Sequence, residues 1–159
     1  MSIRRLQSEL KQIIKDPNYH YSIYPNENDF YKWNFIMIGP EDTLFEGGIF
    51  EGYMLFKNDY PNKAPEVVVT SKIFHPNIYK NGKVCMSILH DGRDMYGYEN
   101  DSIRWNPTQG VNSIMMSLIS ILSDPNTESP ANIDASKMYE NNLEEYKKIV
   151  MKIIQDSQS

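Results

Sequence analysis

Residues 31–38 repeat with a period of two: Tyr31, Trp33, Phe35 and Met37 alternate with Lys32, Asn34, Ile36 and Ile38. A strand of this kind must lay its aromatic side against a core, because a slip of one residue would turn the whole set to solvent. Runs 19–24, 48–56 and 66–71 also have strand composition, and Gly39-Pro40 and Gly47-Gly48 punctuate the gaps. Connections this short favour an antiparallel meander. Ahead of it, Ile3, Leu6, Leu10, Ile13 and Ile14 recur at helical spacing, with Ser2 as a cap and Asp16-Pro17 as a stop. Behind it, three helices are expected. The first starts at Thr108 or Gln109 and carries Val111, Ile114, Met115, Leu118, Ile119 and Leu122. A short one around 135–139 has Asp134 as its cap, and the last is capped by Asn142 and buries Leu143, Tyr146, Ile149, Val150 and Ile153. The expectation is an α+β fold: an N-terminal helix, a four-stranded antiparallel meander and three C-terminal helices. With no repeat and no linker-like stretch, residues 1–159 are expected to form one domain.

A net charge of −5 argues against a general nucleic-acid binder, which needs a basic footprint. The single cysteine, Cys85, excludes an intramolecular disulfide and a Cys-rich zinc site, and a free thiol fits a reducing, cytoplasmic setting. The N-terminal residues have no secretory h-region, and the longest apolar stretch, 114–122, is too short to span a membrane, so no direct membrane anchor is expected. Residues 90–104 (HDGRDMYGYENDSIR) read as a loop, and their acids lack the ladder of a calcium-binding EF-hand, so calcium is not expected there.

Cys85 lies in the stretch FHPNIYKNGKVCMSIL, residues 74–89. Pro76 restricts itself and His75, and Asn81-Gly82 tolerates positive φ, so the backbone is constrained without being regular. A lone cysteine is more often a small buried hydrophobe than a nucleophile. As a nucleophile it has three uses: a Cys-His hydrolase with His75 or His90 as base, a redox thiol, or an acyl carrier. The second is weakened by the lack of a resolving cysteine. The third fits a site with no obvious triad, because thiol-to-thioester exchange does not demand a dedicated base.

His75-Pro76-Asn77 followed by Cys85 resembles the active-site signature of ubiquitin-conjugating enzymes, and the likeness runs from about Ile3 to near Ile154. The long acidic insertion after the cysteine resembles the G-type subclass. The resemblance implies that Cys85 accepts ubiquitin as a thioester from the activating enzyme and passes it to a lysine, with Asn77 as oxyanion donor or loop pin and His75 as a structural residue. Tyr79 would help desolvate the lysine, and the resemblance implies no metal and no bound cofactor. Ser129 stands where many relatives have Asp, and it carries no charge unless phosphorylated, so Glu128 or the acids Asp91, Asp94, Glu99 and Asp101 would have to compensate. Arg5, Asn62, Lys63, Pro107 and Thr108 would meet the activating enzyme and a RING-type ligase. Asn62 replaces the family's usual bulky apolar residue, which implies either a weak ligase surface or a partner that is built differently. The exposed side of the helix 109–122 would hold the donor ubiquitin. The G-type likeness further implies an acidic gate over Cys85, degradation-signalling chains, and recruitment to the cytosolic face of the endoplasmic reticulum. Other readings are a catalytically silent ubiquitin-binding adaptor and an enzyme for another ubiquitin-like modifier.

Overall fold

The aromatic side of residues 31–38 sets the core. In the computed structural model, which describes residues 2–90 and 104–158, β2 (Asp29–Ile38) pairs antiparallel with β1 (Tyr21–Asn26) and β3 (Ile49–Leu55), and β3 pairs with β4 (Glu66–Val69). The strand order is β1-β2-β3-β4, the expected meander. Register aligns inward residues in rows across the sheet: Tyr21, Met37 and Phe50; Ile23, Phe35, Gly52 and Val69; Trp33, Met54 and Val67. Gly52 has no side chain for a local reason. A Cβ there would sit 2.3 Å from the Val68 carbonyl oxygen and 2.5 Å from the Phe35 ring, so the glycine makes room for Phe35. The alternate residues Ile36, Ile38 and Ile49 are exposed on the other face.

Among the described residues there are four helices, α1 (Ser2–Lys15), α2 (Val111–Ser123), α3 (Ile133–Asn141) and α4 (Leu143–Ser157), and their buried residues join those of the sheet in one core. The core takes Val111, Ile114, Met115, Leu118, Ile119 and Leu122 from α2, the full set that the periodicity marks. The stripe on α1 is narrower than expected. Leu6 is fully buried and Leu10 and Ile13 are half-buried, but Ile3 and Ile14 are exposed. On α4 the buried residues are Tyr146, Val150 and Ile154, while Leu143 is exposed.

The helix caps show where local signals mislead. Asn142 caps α4 as expected, accepting from the Glu145 amide. For α3 the cap is the buried Asn132, whose Oδ1 accepts from Ala135 N at 3.0 Å, and Asp134 instead sits in the first turn, paired at the surface with Lys80. Asn132 precedes the helix by one residue, the position from which a side chain reaches the unpaired amides. Ser2 lies within α1, and its hydroxyl pairs with the Tyr31 hydroxyl at 2.9 Å.

α2 begins at Val111, later than Thr108 or Gln109, and its first amide is satisfied by a side chain of α1. Glu9 of α1 accepts from Val111 N through Oε1 at 2.7 Å. Its Oε2 accepts from Arg5 Nε at 3.1 Å and from the Tyr60 hydroxyl. One mostly buried carboxylate thus joins α1, the loop after β3 and the start of α2. A negative charge is also favoured at a helix N-terminus. Burial, then the charge of Glu9 and the hydrogen bond to it, push the Tyr60 hydroxyl well above its ordinary pKa, so Tyr60 stays a donor. Gly110 leaves the space that this requires, since a Cβ there would meet Glu9 Oε1 at 2.3 Å.

Glu9→Ala should therefore cost about 2–3 kcal/mol, because it strands the Val111 amide and the Tyr60 hydroxyl in partly dry surroundings. Urea unfolding at neutral pH measures this, and Glu9→Gln, which keeps one of the two acceptor oxygens, should lose less.

Candidate active site

Residues 74–90 contain no strand and only a 3-10 turn, Ser87–Leu89. They are held by individual hydrogen bonds. Gly82 adopts φ +95°, which a side chain disfavours, and a Cβ there would lie 2.1 Å from the Val69 carbonyl oxygen. That glycine lets residues 78–84 fold back against β4: Val69 N donates to Gly82 O at 2.8 Å and Val84 N to Val67 O at 2.9 Å. Tyr146 of α4 donates its hydroxyl to Phe74 O at 3.0 Å, fixing the entry to the turn.

The three residues His75, Pro76 and Asn77 each fasten a different neighbour. His75 is fully buried. Its Nδ1 accepts from Asn77 N at 2.9 Å, so the ring proton is on Nε2, which donates to Ile121 O at 2.6 Å. Ile121 lies in the last turn of α2, where carbonyls lack partners within the helix. Pro76 O accepts from Ala131 N at 2.8 Å and Asn132 N at 3.0 Å. The Asn77 side chain forms a two-point clasp with one backbone unit: Nδ2 donates to Asn126 O at 2.7 Å and Oδ1 accepts from Asn126 N at 2.9 Å. Its carbonyl accepts from Cys85 N at 2.8 Å.

Cys85 is half-buried. Burial pushes its thiol above the ordinary value, and the Lys83 ammonium partly offsets that. Its Sγ lies 3.6 Å from His90 Nε2. Both His75 nitrogens are committed to backbone groups, so of the two imidazoles considered as partners for the thiol, the structure brings up His90. The ends of the acidic insertion meet there: Trp105 N donates to His90 O at 2.9 Å. Asp91, Asp94, Glu99 and Asp101 lie outside the described residues.

Tyr79 is exposed beside the turn, and Glu128 and Ser129 are exposed on the loop that Asn77 and Pro76 hold. The residues expected to meet other proteins gather at one end of the fold. Asn62, Lys63, Pro107 and Thr108 are exposed there. The Trp105 indole donates to Pro61 O at 2.9 Å, which ties the two loops together. Arg5 is spent within the chain: its guanidinium donates to Pro107 O at 2.8 Å and Gln109 O at 2.7 Å as well as to Glu9. Glu9, Asn126 and Asn132 were not legible as site residues. Only Glu9 left a trace in the sequence, four positions after Arg5 on a helix. Among the described residues, no group of three metal-ligating side chains converges.

A fold of this topology, with a thiol seated by a His-Pro-Asn turn, defines a class, and comparison with known proteins agrees. A family profile described as ubiquitin-conjugating enzyme matches residues 5–154. The chain is 52% identical over 134 residues to the "Probable ubiquitin-conjugating enzyme E2 7" of Caenorhabditis elegans, covering 84% of this chain and 82% of that one. It is 44% identical over 158 residues to ubiquitin-conjugating enzyme E2 G2 of Homo sapiens, covering 98% and 96%. It is 45% identical over 154 residues to ubiquitin-conjugating enzyme E2 15 of Schizosaccharomyces pombe, covering 96% and 92%. The chain belongs to the ubiquitin-conjugating enzyme family and is G-type-like. No helix among the described residues is long and apolar enough to cross a membrane.

Burial lowers the pKa of His75 to about 4, outweighing the opposing bond to Ile121 O. Protonation would also set an N–H against the Asn77 amide. The unfolded chain takes up this proton near pH 6.5 and the folded one only near 4, so acid favours unfolding across that window. Stability from this group should be intact above about pH 6.5 and fall by roughly 3 kcal/mol as pH drops to about 4. NMR titration of the His75 ring, showing no protonation until near pH 4, would check it.

Proposed function

We propose that Cys85 carries ubiquitin as a thioester, received from the activating enzyme and passed to a lysine with the help of a RING-type ligase. The observation that supports this best is the set of bonds radiating from residues 75–77, which places a half-buried thiol beside a loop held at both ends. A carrier needs this: the acyl group must be held still and open on one side while the second nucleophile approaches.

Asn77 acts first as the pin of the 126–132 loop. One of its amide protons goes to Asn126 O, which leaves the other as the candidate donor to an oxyanion. The attacking lysine must lose its proton, which Tyr79 favours by walling off water and Glu128 by charge. Ser129 lies on the same exposed loop and would acquire an acceptor's charge on phosphorylation. Asn62, Lys63, Pro107 and Thr108 form the ligase and activating-enzyme face, with Arg5 holding it from behind. Asn62 makes that face more polar than a bulky apolar residue would, so the matching ligase surface is one that offers hydrogen bonds. Residues 1–159 act as a single catalytic domain, and the acids of 90–104 orient an acceptor ubiquitin for chains that signal degradation at the endoplasmic reticulum.

Incubation with ubiquitin, activating enzyme and ATP should give a thiol-labile adduct, seen on a non-reducing gel. It should be absent in Cys85→Ala and become a thiol-resistant ester in Cys85→Ser. No adduct from the folded wild-type protein would overturn the carrier reading. Deleting 91–103 should leave this adduct intact and change chain formation or linkage, read by mass spectrometry. Loss of loading on deletion would remove the gate role.

A further inference from the structure

Thiol-to-thioester exchange needs no dedicated base when the thiol ionises readily, but here burial works against ionisation. Few thiolates form at neutral pH when the thiol's pKa is raised. The one imidazole nitrogen near Cys85 Sγ is Nε2 of His90, 3.6 Å away and within range of an S–H···N bond. His90 is also held on both sides of its backbone: its N donates to Ser87 O at 3.0 Å and its O accepts from Trp105 N at 2.9 Å. The ring is exposed, so either nitrogen can exchange its proton with water.

We infer that His90 is the proton acceptor for Cys85 during loading, a catalytic residue of this enzyme in addition to the thiol itself. The neutral ring accepts the thiol proton at Nε2 as Sγ bonds to the carbonyl carbon of the incoming thioester. The carbon–sulfur bond to the activating enzyme then breaks, and the departing thiolate takes the proton back from Nε2. Bonds and protons balance, and no other reactant is needed. The inference rests on Cys85 being the carrier.

The charged group that acts on Cys85 among the described residues is Lys83, whose ammonium favours the thiolate. By chain position Asp91 follows His90, and Arg104 precedes the Trp105 that pairs with it. None of these can serve as the acceptor at neutral pH as a neutral imidazole can. His75 is excluded by its bonds to Asn77 N and Ile121 O.

The test is single-turnover loading from a preformed activating-enzyme thioester, from about pH 6 to pH 9.5, for the wild type, His90→Asn and His90→Gln. The readout is the ratio of wild-type to variant rate, in which the activating enzyme's own pH dependence cancels. The expected ratio is on the order of ten or more near pH 7–8 for both variants, falling towards one at the alkaline end, where the thiol ionises unaided. Convergence there also shows that the variants are folded. Alkylation of the sole thiol by iodoacetamide, with no partner protein present, should show a shoulder near neutral pH in the wild type alone.

A ratio near one throughout, or a raised ratio that does not change with pH, would overturn proton acceptance. So would a His90→Gln profile matching the wild type, since glutamine can hydrogen-bond but cannot take the proton. If the folded wild-type protein forms no thiol-labile adduct, the carrier reading fails and takes this inference with it. If Cys85 proves the carrier and the profiles coincide, only the role of His90 fails.

Discussion

The buried turn at His75, Pro76 and Asn77 is the constraint on which the active end of the molecule depends. Residues 74–90 have almost no regular structure of their own, so their backbone groups must find partners one at a time. The backbone finds them at the start of α3, in β4 and in the Tyr146 hydroxyl of α4, while the His75 and Asn77 side chains reach α2 and the loop after it. The same bonds that satisfy the turn therefore decide where Cys85 stands relative to the 124–132 loop. Losing any one would leave a buried donor or acceptor unpaired, which costs more than the bond contributes when formed. That asymmetry keeps an irregular segment in one conformation.

α2 is held in a related way at both ends. Glu9 takes the amide of Val111 at its start, and His75 gives a proton to the carbonyl of Ile121 near its finish. Each terminus of a helix has polar groups without intrahelical partners, and here a side chain from a distant part of the chain supplies one. Between these points α2 contributes six buried apolar residues, which fix its rotation. The two polar contacts fix its position along the axis, something that apolar packing does less sharply because it is not directional.

The surface at the other end grows from the same element. Glu9 also binds Arg5 and Tyr60, and edge-to-face aromatic contacts run from Trp33 through Phe56 to Tyr60. The exposed Asn62, Lys63, Pro107 and Thr108 border this network, with Pro107 O held by Arg5, Thr108 N by Asn106 and Asn62 N by Asp59 O. Arg5, a charged residue near the N-terminus of α1, looks like a surface contact in the sequence. In the fold its guanidinium is used to close the gap between α1 and the 105–110 loop.

Apolar periodicity was enough to locate β2, α2 and the face that each buries, because burial of a repeating pattern depends only on local geometry, and strand composition with punctuating glycines placed the other strands. The turn residues Pro76 and Gly82 announced a constrained segment before the cysteine, because their φ limits are intrinsic. Local reasoning placed the cap of α4 at Asn142 but missed two other helix starts: Asn132, not the acid Asp134, caps α3, and α2 begins at Val111, where a carboxylate of α1 takes its first amide. His75 and His90 have the same side chain and the same candidate role in the sequence. The resemblance sets His75 aside as structural, and only the tertiary structure shows how, spending both its nitrogens on backbone groups and leaving a nitrogen of His90 beside the thiol.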